Sequence, residues 1–484
     1  MIKASQFAGQ TLAVFGLGRT GITAALSLQA GGATVLAWDD REEGRQAAED
    51  KGVTLGDLQK ADWESIDGLV LSPGVPHHLP KPHWSAELAR QADVPIICDI
   101  EILAREVAAV PEGNRPKIIA ITGTNGKSTT TALIGHILNE CGKDAQIGGN
   151  IGRGVLDLDR MHSGSYFVIE LSSYQLERTY SLRANAAVHL NLSPDHLDRH
   201  GDMVGYGSAK KRVFLNQTSD DTAVIGTDDE AGKALLCEMI GRKSATVVPI
   251  SARRSIGSGI FVLGGKLFCT QGKRVEEICD LKKAKALEGQ HNWQNAAAAF
   301  AAVRSLGLKP RDVAKAILSF PGLAHRMETI GTAGKVRFVN DSKATNADAA
   351  QQALNSYDEI FWIAGGVAKE QGIDPLLPLM KNVKKAYLIG ESSKSFKRTL
   401  TKAKVDHKVS GHLQMAVYCA TRDALESGAT HPIVLLSPAC ASFDQFTNFE
   451  VRGDAFRQHA QQIIDLFETE MKAKRGDDKK ALAS

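Results

Sequence analysis

The stretch IIAITGTNGKSTT, residues 118–130, runs an apolar strand straight into glycines, then Lys127-Ser128, then a helical pattern through Leu138. Glycine at 123 and 126 lets the backbone curl so that its N–H groups point inward at phosphate oxygens. The following helix turns its positive N-terminal end toward the same anion. Lys127 can reach terminal phosphates and Ser128 can hold Mg²⁺. The pattern departs from the common phosphate loop, which needs a glycine five positions before Gly126; Ile121 stands there.

Two further stretches carry titratable groups. YFVIELSSYQLE (166–177) puts Glu170 at the end of an apolar strand. There a carboxylate is costly unless it is paired, bound to metal or turned to solvent. HLNLSPDHLDRHG (189–201) puts Asp195, His196 and Asp198 just after another apolar strand. In an open α/β sheet, strand ends of this kind share the carboxyl side with the phosphate loop. An acid, an imidazole and the loop serine form a ligand set suited to Mg²⁺ bridging phosphates.

Nearer the start, GLGRTG (16–21) satisfies G-x-G-x-x-G between a strand and a helix, and Asp39 and Asp40 end the next strand. Alone this favours a nicotinamide or flavin enzyme. The narrower reading is a helix N-terminus able to take a diphosphate. Nothing later in the chain supplies hydride chemistry.

The elements that must position these groups alternate. TLAVF, a helix from Gly21 to Ala30, and ATVLAW open a β-α-β pattern, with GLVLS and VPIIC as later strands of the same sheet. KIIAIT, YFVIEL, AAVHLNL and TAVIG follow, with a hairpin GIFVLGGKLFC turning at Gly264-Gly265. VRFVND, EIFWIAGG, KKAYLIG and HPIVLLSPA form a third set, and the charged tail after Phe467 reads as a frayed helix end. Such alternation predicts parallel sheets covered by helices on both faces. PEGNRP and FPGLAHR mark boundaries that give domains 1–110, 111–320 and 321–484.

A chain of 484 residues suits about three domains. The net charge of +3 gives no support for nucleic-acid or membrane-surface binding. Seven scattered cysteines, none in a CxxC pair, read as reduced thiols. With no signal-type start and no apolar run of about 20 residues, a cytoplasmic protein is expected.

TGTNGKST is similar to the loop of the superfamily that holds the Mur ligases and folylpolyglutamate synthetase. ELSSYQLE, NLSPDHLDRH, GQHNWQNAAAA, DSKATN and SPACASFDQFTNFEVRG occur in the order found in the Mur ligase family. The resemblance spans nearly the whole chain. It implies an α/β protein of three domains: Rossmann-like at the N-terminus, a central ATPase domain of phosphate-loop type, and Rossmann-like at the C-terminus. It implies ATP and Mg²⁺, a monomer, and a place in peptidoglycan precursor synthesis.

Residue by residue, the resemblance puts Gly123, Thr124, Asn125, Gly126, Lys127, Ser128, Thr129, Asn292, Arg326 and Asp341 on ATP. The metal ligands would be Ser128, Glu170, His196 and Lys210, the lysine as its carbamate, with Lys127, Glu170, His196 and Lys210 catalytic. Arg19, Thr20, Asp40, Arg41, Ser72, Gly74 and Asn150 would hold a UDP-sugar. Thr345, Lys369, Ser442 and Phe449 lean toward D-glutamate as the added amino acid. The implied reaction joins D-glutamate to UDP-N-acetylmuramoyl-L-alanine through an acyl phosphate; other amino acids within the family are the alternative.

Overall fold

A computed structural model describes residues 1–481 other than 273, 370 and 371, and describes only the backbone of residues 348 and 470–481. The chain forms two compact units, Met1–Phe320 and Pro321–Ser484.

The first unit holds two sheets. One contains β1 (Thr11–Phe15), β2 (Thr34–Trp38), β3 (Gly68–Leu71) and β4 (Ile96–Ile97) in the order β2-β1-β3-β4, all parallel. The other is built from β5 (Lys117–Thr122), β6 (Asp144–Gly149), β7 (Ser165–Glu170), β8 (Ala186–His189), β9 (Thr222–Gly226), β10 (Thr246–Ser251), β11 (Gly259–Leu263), β12 (Lys266–Gln271) and β13 (Arg274–Asp280). Its order is β13-β12-β11-β10-β9-β8-β5-β7-β6, so β5 lies between β7 and β8, third from the β6 edge.

KIIAIT shows why β5 sits there. Ile118 and Ala120 enter the core shared with the first sheet, while Ile119 and Ile121 enter the opposite core with the helix Gln290–Ser305. Burial on both faces suits a continuous β-branched run, and each isoleucine contributes about 1.5–3 kcal/mol. The 110/111 boundary expected from sequence separates the helix Asp99–Ala109 from β5, between two sheets of one compact unit. The other boundary, 320/321, coincides with the division between units.

The second unit holds β14 (Glu328–Ala333), β15 (Val336–Asn340), β16 (Ile360–Gly365), β17 (Val383–Ile389), β18 (His407–Gly411) and β19 (Ile433–Leu436), in the order β14-β15-β19-β16-β17-β18. Along β16, Ile360, Trp362 and Ala364 fill one face and Phe361 and Ile363 the other.

Neither large sheet is wholly parallel. β11, β12 and β13 pair antiparallel, with the two-residue turn at Gly264-Gly265, and β14 pairs antiparallel with β15. Two-residue turns leave no room for a crossover helix, so these strands must be antiparallel. The backbone helix Phe449–Ala481 runs on through the charged stretch expected to fray.

Candidate active site

The phosphate-loop stretch joins β5 to the helix Lys127–Glu140. Gly126 is that helix's N-cap at φ 86°, and a Cβ there would lie 2.2 Å from Asn295 Oδ1. Only glycine meets both demands. The N–H of Asn125 donates to Asn191 Oδ1 (2.9 Å), and Asn191 Nδ2 donates to the Asn125 carbonyl (3.2 Å) and to Gln294 Oε1 (3.1 Å). Asn191, just beyond β8, thus fixes the loop's tip. The sequence marks Asn191 as the first residue of NLSPDHLDRH but gives it no role, because its partners lie in the phosphate loop and in the helix Gln290–Ser305. Lys127 Nζ folds back on the carbonyls of Gly123 (2.9 Å) and Thr124 (2.8 Å). Ser128 is buried. Asn292, also buried, accepts from Asn295 Nδ2 (3.1 Å), beneath the loop.

Glu170 ends β7 beside β5, where Ile121 is its register partner. Its Oε1 accepts from Asn150 Nδ2 at 2.8 Å. Its Oε2 is buried with no hydrogen-bond partner among the described residues. Such an oxygen is costly to leave bare, and it fits a metal ligand. Asn150, expected on a sugar nucleotide, is the donor in the bond to Oε1. His196 follows β8 at φ 54° and caps the helix Leu197–His200. Its Nδ1 shares a hydrogen bond with Tyr174 OH (2.8 Å), and its Nε2 lies 3.3 Å from Asp195. Burial lowers its pKa, with Asp195 opposing and the charges of Lys210 and Lys127 adding to the fall.

Lys210, read from composition as a solvated basic face, is buried. Its Nζ donates to the Gly123 carbonyl at 2.8 Å and sits 4.6 Å from the centre of the Tyr206 ring. Tyr206 OH in turn lies 3.3 Å from Thr124 Oγ1. Burial, aided by Lys127, pushes the Lys210 amine down to about 6, against the pull of Asp195 and Glu170. At neutral pH it is an uncharged amine, the form that adds to CO₂ with loss of one proton. Ser128, Glu170, His196 and a carbamylated Lys210 therefore offer a hydroxyl, a carboxylate, an imidazole and a second carboxylate, hard oxygen-rich donors that fit Mg²⁺.

In the first sheet, GLGRTG and the LSPG turn abut. A Cβ on Gly16 would lie 2.6 Å from Ser72 Cβ, and Ser72 N–H donates to the Phe15 carbonyl. Arg19 is exposed at the start of the helix Arg19–Gly31, with Thr20 next to it, and Gly74 is exposed as well. Asp39, the acid a dinucleotide enzyme would offer to a ribose, is turned inward. It accepts from the N–H of Leu17 (2.7 Å) and of Arg41 (2.9 Å). Asp40 is held by His83 Nε2 (3.0 Å) and Trp84 Nε1 (3.2 Å), and Arg41 is exposed.

In the second unit three loops meet at the carboxyl ends of β15, β16 and β19. Asp341 is buried, accepting from Ser437 Oγ (2.8 Å) and Met327 N–H (3.2 Å). Burial raises it to about 7, opposed by Ser437, Met327 and the charge of Arg326. Ser342 Oγ donates to the Phe449 carbonyl (2.8 Å), and Lys343 Nζ lies 5.0 Å from the Phe449 ring centre. Val367 and Ala441 exchange backbone hydrogen bonds, which joins the loop carrying exposed Lys369 to the loop carrying buried Ser442. Thr345 is half-buried beside the N-cap Asn346.

Residues 121–303 match the Mur ligase middle domain and residues 325–440 the Mur ligase glutamate ligase domain. A UDP-N-acetylmuramoylalanine–D-glutamate ligase of Caulobacter vibrioides is 56% identical over 457 residues, covering 94% of this chain and 97% of the relative. One from Mesorhizobium japonicum is 49% identical, covering 96% and 98%. Among solved structures, a UDP-N-acetylmuramate–alanine ligase of Thermotoga maritima shares the fold, with TM-score 0.57 at 18% identity, covering 94% of this chain and 99% of that one. A three-domain α/β architecture with an ATP-type phosphate loop, and full-length relatives this similar, lead to one assignment: the chain belongs to the Mur ligase family.

Proposed function

We propose that this chain is an ADP-forming ligase that joins D-glutamate to UDP-N-acetylmuramoyl-L-alanine in peptidoglycan precursor synthesis. The observation that carries the chemistry is the buried, uncharged Lys210 bonded to the phosphate loop at Gly123 and within the electrostatic reach of Glu170, whose Oε2 is bare among the described residues. The relatives' shared name supports D-glutamate. The reading assigns residues 1–110 to the sugar nucleotide, 111–320 to ATP and 321–484 to the amino acid and ATP. It acts in the cytoplasm as a monomer.

A carboxylate repels nucleophiles, so it must first be activated. One oxygen of the L-alanyl carboxylate attacks the γ-phosphorus of ATP, and ADP leaves. The amine of D-glutamate then attacks the acyl carbon, and phosphate departs with the former carboxylate oxygen as the amine loses a proton. Mg²⁺, held by Ser128, Glu170, His196 and carbamylated Lys210, supplies charge neutralisation on the phosphates when bound. The loop 123–129 orients the phosphates and Lys127 balances charge that develops at the γ-position. Asn292 supports the loop, while Arg326 and Asp341 hold the nucleoside end. Arg19, Thr20, Asp40, Arg41, Ser72, Gly74 and Asn150 take the UDP-sugar, Asn150 also donating to Glu170. Thr345, Lys369, Ser442 and Phe449 receive D-glutamate, a lysine and hydroxyls being suited to two carboxylates.

The test is isotope transfer. With ¹⁸O in the L-alanyl carboxylate, released phosphate carries one ¹⁸O per turnover. Label retained entirely in the sugar-nucleotide product would overturn the acyl-phosphate route.

A further inference from the structure

The loop after β3, which sequence reading singled out as LSPG, is held by two guanidiniums from outside its own sheet. Arg178 Nη1 donates to the carbonyls of Leu71 (3.0 Å) and Ser72 (3.2 Å), and its Nη2 to that of Pro73 (2.9 Å). Arg199 Nη1 donates to Gly74 (3.3 Å), and its Nη2 to Pro73 (3.4 Å) and Val75 (2.8 Å). Every main-chain carbonyl from Leu71 to Val75 thus accepts from an arginine. Both side chains are buried, and among the described residues neither makes an ion pair. Burying two cations is costly, and the carbonyl dipoles of this loop offset that cost together with the attraction of Glu177, Asp99 and Asp198.

The same arginines belong to the elements that carry the catalytic groups. Arg178 follows the helix Ser173–Leu176, which begins three residues after Glu170, and its Nε donates to the Tyr174 carbonyl (3.3 Å). Arg199 lies in the helix capped by His196, with its guanidinium 4.6 Å from the centre of the Tyr174 ring. Tyr174 OH bonds His196. On the other side, Ser72 abuts Gly16 of GLGRTG.

We infer that Arg178 and Arg199 are positioning residues that fix the 71–75 loop in its sugar-nucleotide-receiving shape and register it against the strand ends bearing Glu170 and His196. This rests on the reading of that loop as the sugar-nucleotide site. Lysine keeps the charge but lacks the planar fork that serves several carbonyls at once. Charge-conserving substitution therefore separates positioning from electrostatics.

The experiment compares wild type, Arg178→Lys and Arg199→Lys. It measures the KM for UDP-N-acetylmuramoyl-L-alanine, the KM for ATP, and amide hydrogen exchange at Ser72, Gly74 and Val75. The expected result is a rise of about tenfold or more in the sugar-nucleotide KM, with the ATP KM within about twofold. Exchange at the three amides should quicken in the free protein. Arg199→Lys, at the more accessible site, carries the comparison alone should Arg178→Lys not fold. Equal rises in both KM values, or unchanged exchange, would overturn the inference. If wild type fails to use the sugar nucleotide at all, the functional reading fails, while the exchange comparison still tests the clamp.

Discussion

Lys210 Nζ and the carbonyl of Gly123 are joined by a buried hydrogen bond of 2.8 Å, which ties the end of the helix Met203–Lys211 to the first glycine of the phosphate loop. Lysine in such a place is held uncharged by burial, with a pKa of about 6. Lys210→Ala should lower kcat by about 100-fold or more, a loss typical of a group acting in the transition state. Added short carboxylic acids should restore part of it by standing in for the carbamate. An unchanged kcat would remove Lys210 from the chemistry.

The same burial makes a stability prediction. The folded pKa lies below the ordinary 10.5, so the unfolded chain binds more protons between about pH 6 and 10.5 and stability rises across that window. Lys210→Met should therefore stabilise the protein in CO₂-free buffer, by about 1–4 kcal/mol near pH 6. The gain should fade as pH approaches 10.5. Melting temperatures of both proteins across that range check the sign and the slope.

Gly126→Ala would force a side chain into positive φ and against Asn295. ATP affinity should fall by roughly tenfold or more, from about 1–3 kcal/mol of backbone strain. UDP affinity should not change. Asn191→Ala should weaken ATP in the same direction, since it frees the loop tip at Asn125. Calorimetric titration with each nucleotide separates the two effects.

Asp39 is engaged by the N–H groups of Leu17 and Arg41, so the acid that would select a dinucleotide ribose is occupied. Titration with NAD should give no binding at millimolar concentration, whereas UDP should bind. Tight binding of NAD would return the dehydrogenase reading of GLGRTG.

Burial lifts Asp341 from 3.8 to about 7, so the unfolded chain gives up this proton first. Stability from this group is present below pH 3.8 and is lost as pH rises toward 7. Asp341→Asn should therefore raise the melting temperature at pH 8 more than at pH 4, while raising the KM for ATP. A uniform shift at both values would contradict the burial argument.

Local signals were legible where one residue type answers one backbone demand. The glycines of the phosphate loop, the Gly264-Gly265 turn and the alternating strands β5 and β16 read directly from sequence. Glu170 and His196 needed the sheet order, which brings β7 and β8 to either side of β5. Lys210 was opaque, because KKR on a helix looks solvated until tertiary packing buries one of the three. Arg178 and Arg199 were opaque for the converse reason. Their partners are main-chain carbonyls more than a hundred residues away, and carbonyls leave no mark in sequence. The acid at 39 misled, since its inward turn depends on the N–H of Leu17.

The central claim is most directly tested by ATP-dependent phosphate release with UDP-N-acetylmuramoyl-L-alanine and a panel of L- and D-amino acids. Phosphate release with D-glutamate, matched by a product heavier by one glutamyl residue, is the expected result. Release that is equal for other amino acids, or absent with D-glutamate, would contradict it.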